Sequence, residues 1–138
     1  MTVKVYDSLP KEAEEIRKSV FMDEQGFKDE FDETDKTAFH IVIFDGSVPA
    51  ATCRVFPGDT PESYVLGRLA VMKAYRGKQL GSMAVSEAEK LVRSKGGSSI
   101  TLHAQCRVSD FYAKLGYERF GDIDYDEGCE HIWMKKEI

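Results

Sequence analysis

The apolar positions of the chain repeat with two different periods. Val3 to Tyr6 reads as a short strand, and after Pro10, which a first helical turn tolerates, Ala13, Ile16 and Val20 recur at helical spacing. Phe39 to Phe44 and Val48 to Phe56 are β-rich runs separated by Asp45-Gly46, a pair suited to the positive φ angles of a tight hairpin turn. Tyr64 to Met72 predicts another strand. A helix follows from near Gln79, with Leu80, Met83, Ala84, Ala88, Leu91 and Val92 on one face and Gly96-Gly97 as its stop. Ser99 to Ala104 is the next strand, Ser109 is placed to cap a helix carrying Phe111, Tyr112 and Leu115, and Gly116 suits a left-handed C-cap. Strands near Tyr117 to Phe120 and His131 to Lys135 close the chain. Residues 23 to 35 break the pattern: Asp23, Glu24, Asp29, Glu30, Asp32, Glu33 and Asp35 surround Phe27 and Phe31 with Lys28 as the one base, which predicts a loop or broken helix. There is no repeat, low-complexity tract or linker, so residues 1–138 read as a single domain. Its helices interrupt a largely antiparallel set of strands, which is the α+β class.

Composition narrows the setting. A hydrophobic content of 42% with 31% charged residues suits a globular protein, and no apolar run approaches the ~18 residues of a membrane span. The first residues lack the basic, apolar and small-residue regions of a signal peptide, so a cytoplasmic location is expected. Cys53, Cys106 and Cys129 are an odd count without a C-x-x-C pair, which points away from a disulfide framework and from a metal site and toward buried free thiols. A net charge of −5 with no basic face makes nucleic acid and anionic membranes poor partners.

Charge is not evenly spread, however. From Ser63 through Ser86 there is no acid, while Arg68, Lys73, Arg76 and Lys78 are basic. Lys73 to Ser82 joins a predicted strand to a predicted helix. The first N–H groups of a helix lack intrahelical partners and sit at the positive end of the macrodipole, so an anion is favoured there. Gly77 and Gly81 would let a phosphate approach the main chain. Taken alone, the pattern is better read as an ordinary glycine-containing turn leading to a solvated helix end.

Leu66-Gly67-Arg68-Leu69-Ala70-Val71 followed by Tyr75-Arg76-Gly77-Lys78-Gln79-Leu80-Gly81 resembles the acetyl-CoA signature of the GNAT N-acetyltransferase superfamily, Arg/Gln-x-x-Gly-x-Gly/Ala. Arg76 and Gly81 match its ends and Gln79 stands in place of the middle glycine. Downstream, Gln105, Val108 and then Phe111-Tyr112-Ala113-Lys114-Leu115-Gly116-Tyr117 stand where the superfamily carries Asn-x-x-Ala and a Phe-Tyr-x-x-x-Gly-Phe stretch. Along its whole length, including Phe21-Met22-Asp23-Glu24-Gln25-Gly26 and the Asp126-Glu127-Gly128 turn before His131, the chain is similar to the ElaA-like subgroup, whose members tolerate a non-glycine at the Gln79 position.

The resemblance implies a mixed, largely antiparallel sheet with flanking helices and a splayed central strand pair, and an enzyme that moves an acetyl group from acetyl-CoA to an amine. Pantetheine would pair with the main chain at Leu69, Ala70 and Val71, and the pyrophosphate would lie on the N–H groups of Arg76, Gly77, Lys78, Gln79, Leu80, Gly81 and Ser82, with Gln105 and Tyr112 also at the co-substrate. Tyr112 takes the position of the family's proton donor to the leaving thiolate. A lysine-like amine at pH 7 must lose a proton at a cost of about 4.6 kcal/mol before it can attack. Residues 64–72 contain no carboxylate to take it, so Glu24, Asp35 and His40 are the base candidates. Two alternatives stand beside direct transfer: an acetyl-enzyme on Cys106 with His103 as base, disfavoured because period two sets them on opposite faces, and a non-catalytic acetyl-CoA-binding module. The acceptor is unidentified. The acidic stretches at 23–35 and at Asp122, Asp124, Asp126, Glu127 and Glu130 favour a polycationic one, and a homodimer is one option for the assembly.

Overall fold

The computed structural model describes residues 1–28 and 31–138; Asp29 and Glu30, two acids of the early stretch, lie outside the described residues. Seven strands, β1 (Thr2–Tyr6), β2 (Phe39–Asp45), β3 (Val48–Pro57), β4 (Ser63–Val71), β5 (Ser99–Gln105), β6 (Glu118–Asp126) and β7 (Cys129–Glu137), form one sheet in the order β1-β2-β3-β4-β5-β7-β6. Neighbours are antiparallel except β4 and β5, which run parallel. Among the described residues, three α-helices pack against it: α1 (Lys11–Arg17), which continues as a π-helix over Lys18–Glu24, α2 (Leu80–Ser94) and α3 (Ser109–Lys114). The α+β expectation holds.

Both faces of the sheet are covered at its central strands, and β2 shows why its sequence is apolar without alternation. Ile41 and Ile43 join the large core under α2, whereas Val42 and Phe44 join a smaller one with Ala13, Ile16, Val20 and Phe21 from the first helix. A strand buried on both faces reads as a continuous hydrophobic run. On α2 the predicted stripe is buried at Leu80, Ala84, Ala88 and Val92, with Met83 and Leu91 packed at its margin. Ser109 departs from expectation: it is the first residue of α3 rather than its cap, and its hydroxyl donates to the Cys106 carbonyl at 2.8 Å. Of the cysteines expected to be buried, Cys53 is buried and Cys106 and Cys129 are half-buried; all three are free thiols.

The early acidic stretch is organised by arginines. Arg17, 1% exposed, grips Asp35 with both terminal nitrogens at 2.8 and 3.1 Å. Arg54 of β3 reaches Asp35 at 2.9 Å and Asp32 at 2.7 Å, and Arg68 of β4 reaches Asp32 at 3.4 Å. One ionic network thus joins α1, the 3-10 turn Glu33–Lys36 and two strands. Burial alone would raise the Asp35 carboxyl. Hydrogen bonds and charge from Arg17 and Arg54, with the Asp32 N–H, outweigh it and hold the group well below the usual carboxylate range.

Removing one partner of a buried ion pair leaves an uncompensated charge, so Asp35→Asn is expected to cost about 3–5 kcal/mol in urea unfolding at pH 7. Because the folded-state value of Asp35 lies below the unfolded one, about 3.9, the stabilisation is complete above pH ~4 and is lost as pH falls through the folded value. The gap between wild type and Asp35→Asn should therefore close on acidification. A gap that is small at pH 7, or that does not shrink in acid, would remove Asp35 as the keystone of the network.

Candidate active site

The parallel ladder of β4 and β5 runs from Ser63↔Ser99 to Leu66↔Leu102 and then stops. Beyond it β5 stays with β7 as far as Gln105↔His131, while β4 stays with β3 as far as Val71↔Ala51. On the β3 side, Gly67 faces Arg54 and Ala70 faces Thr52, so β4 carries one residue more than its partner across this stretch. Arg68 takes the strain with φ +52°. Such a bulge bends the strand that carries it, and β4 turns away from β5. The splayed central pair expected from the sequence is present.

Two adjoining cavities occupy the gap. The first, about 520 Å³, is walled by Leu66 to Leu69 of β4, Leu102 to Gln105 of β5, Tyr112 and His131. The second, about 730 Å³, is walled by Leu69 to Val71, Glu24, Arg76 and Val108. Gln25 and Gln105 line both, and the Gln105 amide donates to the Gln25 side-chain oxygen at 2.8 Å across the common wall.

The loop from β4 to α2 has the conformation its residues imply. Gly77 and Gln79 both have left-handed backbones, with φ +78° and +63°. The family's middle glycine falls at the second of these, where a side chain costs roughly 1–2 kcal/mol, and Gln79 bears that strain as the N-cap of α2. Met83 is the first residue whose N–H bonds back into the helix start, to the Gln79 carbonyl at 3.1 Å, so the N–H groups of Leu80, Gly81 and Ser82 face outward from the helix end. At Gly81 the constraint is space: a Cβ there would stand 3.2 Å from the Phe111 ring. The Tyr75 hydroxyl donates to Asp45 at 2.8 Å and ties the loop to the β2–β3 turn, and the Lys78 ammonium lies 5.4 Å from the Tyr75 ring.

Arg76 and Glu24, expected in separate roles, form one ion pair, with Arg76 Nη2 at 2.9 and 2.8 Å from the two carboxylate oxygens. Arg76 Nε also donates to the Val71 carbonyl at 3.1 Å, so a main-chain group expected to meet pantetheine already has a partner. Tyr112 is 9% exposed and reaches the first cavity; burial, with a smaller contribution from Cys53, raises its phenol well above the ordinary value, which keeps it protonated and makes it a weaker acid than a free tyrosine. Asp35 and His40 line neither cavity. His40 is buried and donates through Nε2 to the Asp35 carbonyl at 3.0 Å, and burial lowers its pKa, so both are parts of the arginine network. Partial burial and then the charges of Glu130 and Asp124 push the Cys106 thiol up, which makes it a poor nucleophile.

The sequence reading named His103 only as a base for Cys106 and did not bring it together with His131. His103 of β5 is stacked between His131, at 4.6 Å, and Trp133, at 4.8 Å, both of β7. Its Nε2 meets Asp124 at 2.7 Å, and His131 Nδ1 meets the Cys129 carbonyl at 2.8 Å. Asp126 completes the group, whose donor atoms lie within 4.8 Å of one another. Period two puts His131 and Trp133 on one face of β7, but the pairings Gln105↔His131 and His103↔Trp133 bring His103 to them, and register is not written in either strand alone. The acids divide in the same way: Asp32, Asp35 and Glu24 face arginines, Asp124 faces His103, and Asp126 and Glu127 border the first cavity.

Residues 6–138 match the model of the acetyltransferase (GNAT) domain family. A Bacillus subtilis protein named for acetyltransferase activity is 38% identical over 129 residues, covering 89% of this chain and 86% of its own. Among solved structures, Escherichia coli ElaA superposes with a TM-score of 0.84 at 24% identity, over 99% of this chain and 100% of that one. An aminoglycoside 6'-N-acetyltransferase solved with coenzyme A gives 0.77 at 19% identity, over 99% and 97%. A splayed β4–β5 pair above an anion-receptive helix start, joined to a family match that spans nearly the whole sequence, leads to one conclusion: the chain belongs to the GNAT acetyltransferase family.

Proposed function

We propose that the chain transfers an acetyl group directly from acetyl-CoA to a primary amine of a small molecule or peptide. The observation that carries this reading is the unpaired edge of β4 from Gly67 to Val71, which leads straight into the helix start at Gly77 to Ser82. An extended pantetheine arm suits the first and a pyrophosphate the second. The coenzyme A complex of the aminoglycoside acetyltransferase, which shares this fold, supports the choice of co-substrate. Leu69, Ala70 and Val71 would flank the thioester, and a main-chain N–H near Val71 would stabilise the negative charge that develops on its oxygen. Arg76 and Lys78 add positive charge at the phosphate end, with Glu24 holding Arg76 in place, and Gln105 closes the far side of the arm. Tyr112, a protonated phenol in the cavity wall, donates to the departing thiolate. Asp126 and Glu127 border the side where an acceptor would enter and favour one with a cationic group.

A panel of amines assayed for thiol release, with mass detection of the product, tests the reading: an acetylated amine supports it, and tight acetyl-CoA binding without CoA release on any amine would favour a non-catalytic acetyl-CoA-binding module. Tyr112→Phe should lower turnover roughly 10²- to 10⁴-fold with co-substrate affinity near wild type, and a wild-type rate would make Tyr112 a packing residue. Arg76→Ala should weaken acetyl-CoA binding by about 1–3 kcal/mol in calorimetry, with a native circular dichroism spectrum. Glu24→Gln should weaken acetyl-CoA binding by less than Arg76→Ala does and leave turnover at saturating acetyl-CoA near wild type. A fall as deep as that of Tyr112→Phe would return the role of base to Glu24.

A further inference from the structure

Acetyl transfer to an amine needs a group that takes a proton from nitrogen; Glu24, in the wall of the second cavity, is engaged by Arg76, and no other residue placed above is offered for that part. Resting on the acetyl-transfer reading, we propose that His131 is that proton acceptor, with His103 as the residue that positions it.

The hydrogen bonds assign the tautomers. A carbonyl oxygen can only accept, so the 2.8 Å contact with Cys129 places the proton of His131 on Nδ1 and leaves the lone pair of the neutral ring on Nε2. His131 is 6% exposed and shares the wall of one cavity with Tyr112 and with Gly67 to Leu69 of β4. It cannot swing freely, because His103 lies against its face at 4.6 Å with 28° between the ring planes. His103 is fixed in turn: its Nε2–H donates to Asp124 at 2.7 Å, and its other face rests on Trp133 at 4.8 Å. A base held by packing and by a defined tautomer is preorganised for transfer. Asp126 sets its carboxylate beside both rings, the donor atoms of the three residues lying within 4.8 Å of one another. The same three residues could be read as metal ligands, but stacking at 4.6 Å with 28° between the ring planes is a poor arrangement for aiming two imidazole lone pairs at one ion.

The step balances. The neutral amine forms an N–C bond to the thioester carbonyl carbon, the C–S bond breaks, the nitrogen's proton passes to His131 Nε2, and the leaving thiolate takes the proton of the Tyr112 hydroxyl. Proton exchange with solvent then restores both residues. An acceptor that arrives as an ammonium loses its first proton to solvent by way of the same Nε2.

The test uses the best amine of the wild-type panel with His131→Ala and His131→Asn, native spectra and acetyl-CoA affinity being checked for each. We expect kcat/KM to fall about 10²- to 10⁴-fold in both variants while acetyl-CoA affinity holds. Added imidazole should restore the Ala variant by roughly tenfold or more, acting as a free base in the space left behind. The defect should also shrink for an amine already unprotonated at pH 7. Wild-type rates in either variant, or a loss that imidazole leaves untouched while acetyl-CoA affinity holds, would overturn the role of His131 and leave the transfer reading intact. A wild-type chain that binds acetyl-CoA but releases CoA on none of the amines would instead sink the transfer reading, and this proposal with it.

Discussion

Backbone pairing between β4 and β5 ends at Leu66 and Leu102, and the site depends on that ending. A parallel ladder carried on to Val71 would leave neither an unpaired strand edge nor a cavity beside it. The one-residue bulge at Arg68 is the local cause, since it bends β4 where the ladder fails. A left-handed arginine is costly and persists only where its surroundings hold it. Here Arg68 reaches Asp32, Asp32 is held by Arg54, and Arg54 lies across from Gly67 on the neighbouring strand. The buried network that staples α1 to the sheet also fixes the bend in β4, so stability and site geometry draw on the same residues.

The gap has two chemical ends. Toward α2 it meets outward N–H groups, Arg76 and Lys78, in a stretch of 24 residues from Ser63 to Ser86 that contains no acid. Toward β6 and β7 it meets Asp126, Glu127 and the histidine pair. An anionic co-substrate and a cationic acceptor would thus be drawn to opposite sides of one cleft. Gln25 and Gln105, bonded across the wall common to both cavities, mark the boundary.

Much of this was legible in the sequence because it depends on neighbours along the chain. Apolar period placed the strands and α2, Asp45-Gly46 marked the hairpin, and the run from Leu66 to Ser82 carried the family. The splay was implied by that resemblance, whereas its cause was hidden: the bulge arises from the register of β4 against β3, which no single segment encodes. The partners of the early acids were hidden for a related reason. These acids were read as a field for a cationic acceptor, but Asp32 and Asp35 answer arginines 18 to 36 residues away in sequence, contacts that composition cannot reveal. Glu24 and Arg76, 52 residues apart, became one ion pair for the same reason. His103 and His131 meet only through the pairing of β5 with β7, while the candidate bases Asp35 and His40, adjacent in sequence to the right elements, are turned into the network instead.

The central claim, that acetyl-CoA lies along the open edge of β4 with its phosphates on the start of α2, can be read amide by amide. Hydrogen exchange of the full chain with and without acetyl-CoA would show it. Slowed exchange concentrated at Leu69 to Val71 and at Gly77 to Ser82 is the expected result; exchange unchanged at both segments under saturating acetyl-CoA would contradict it.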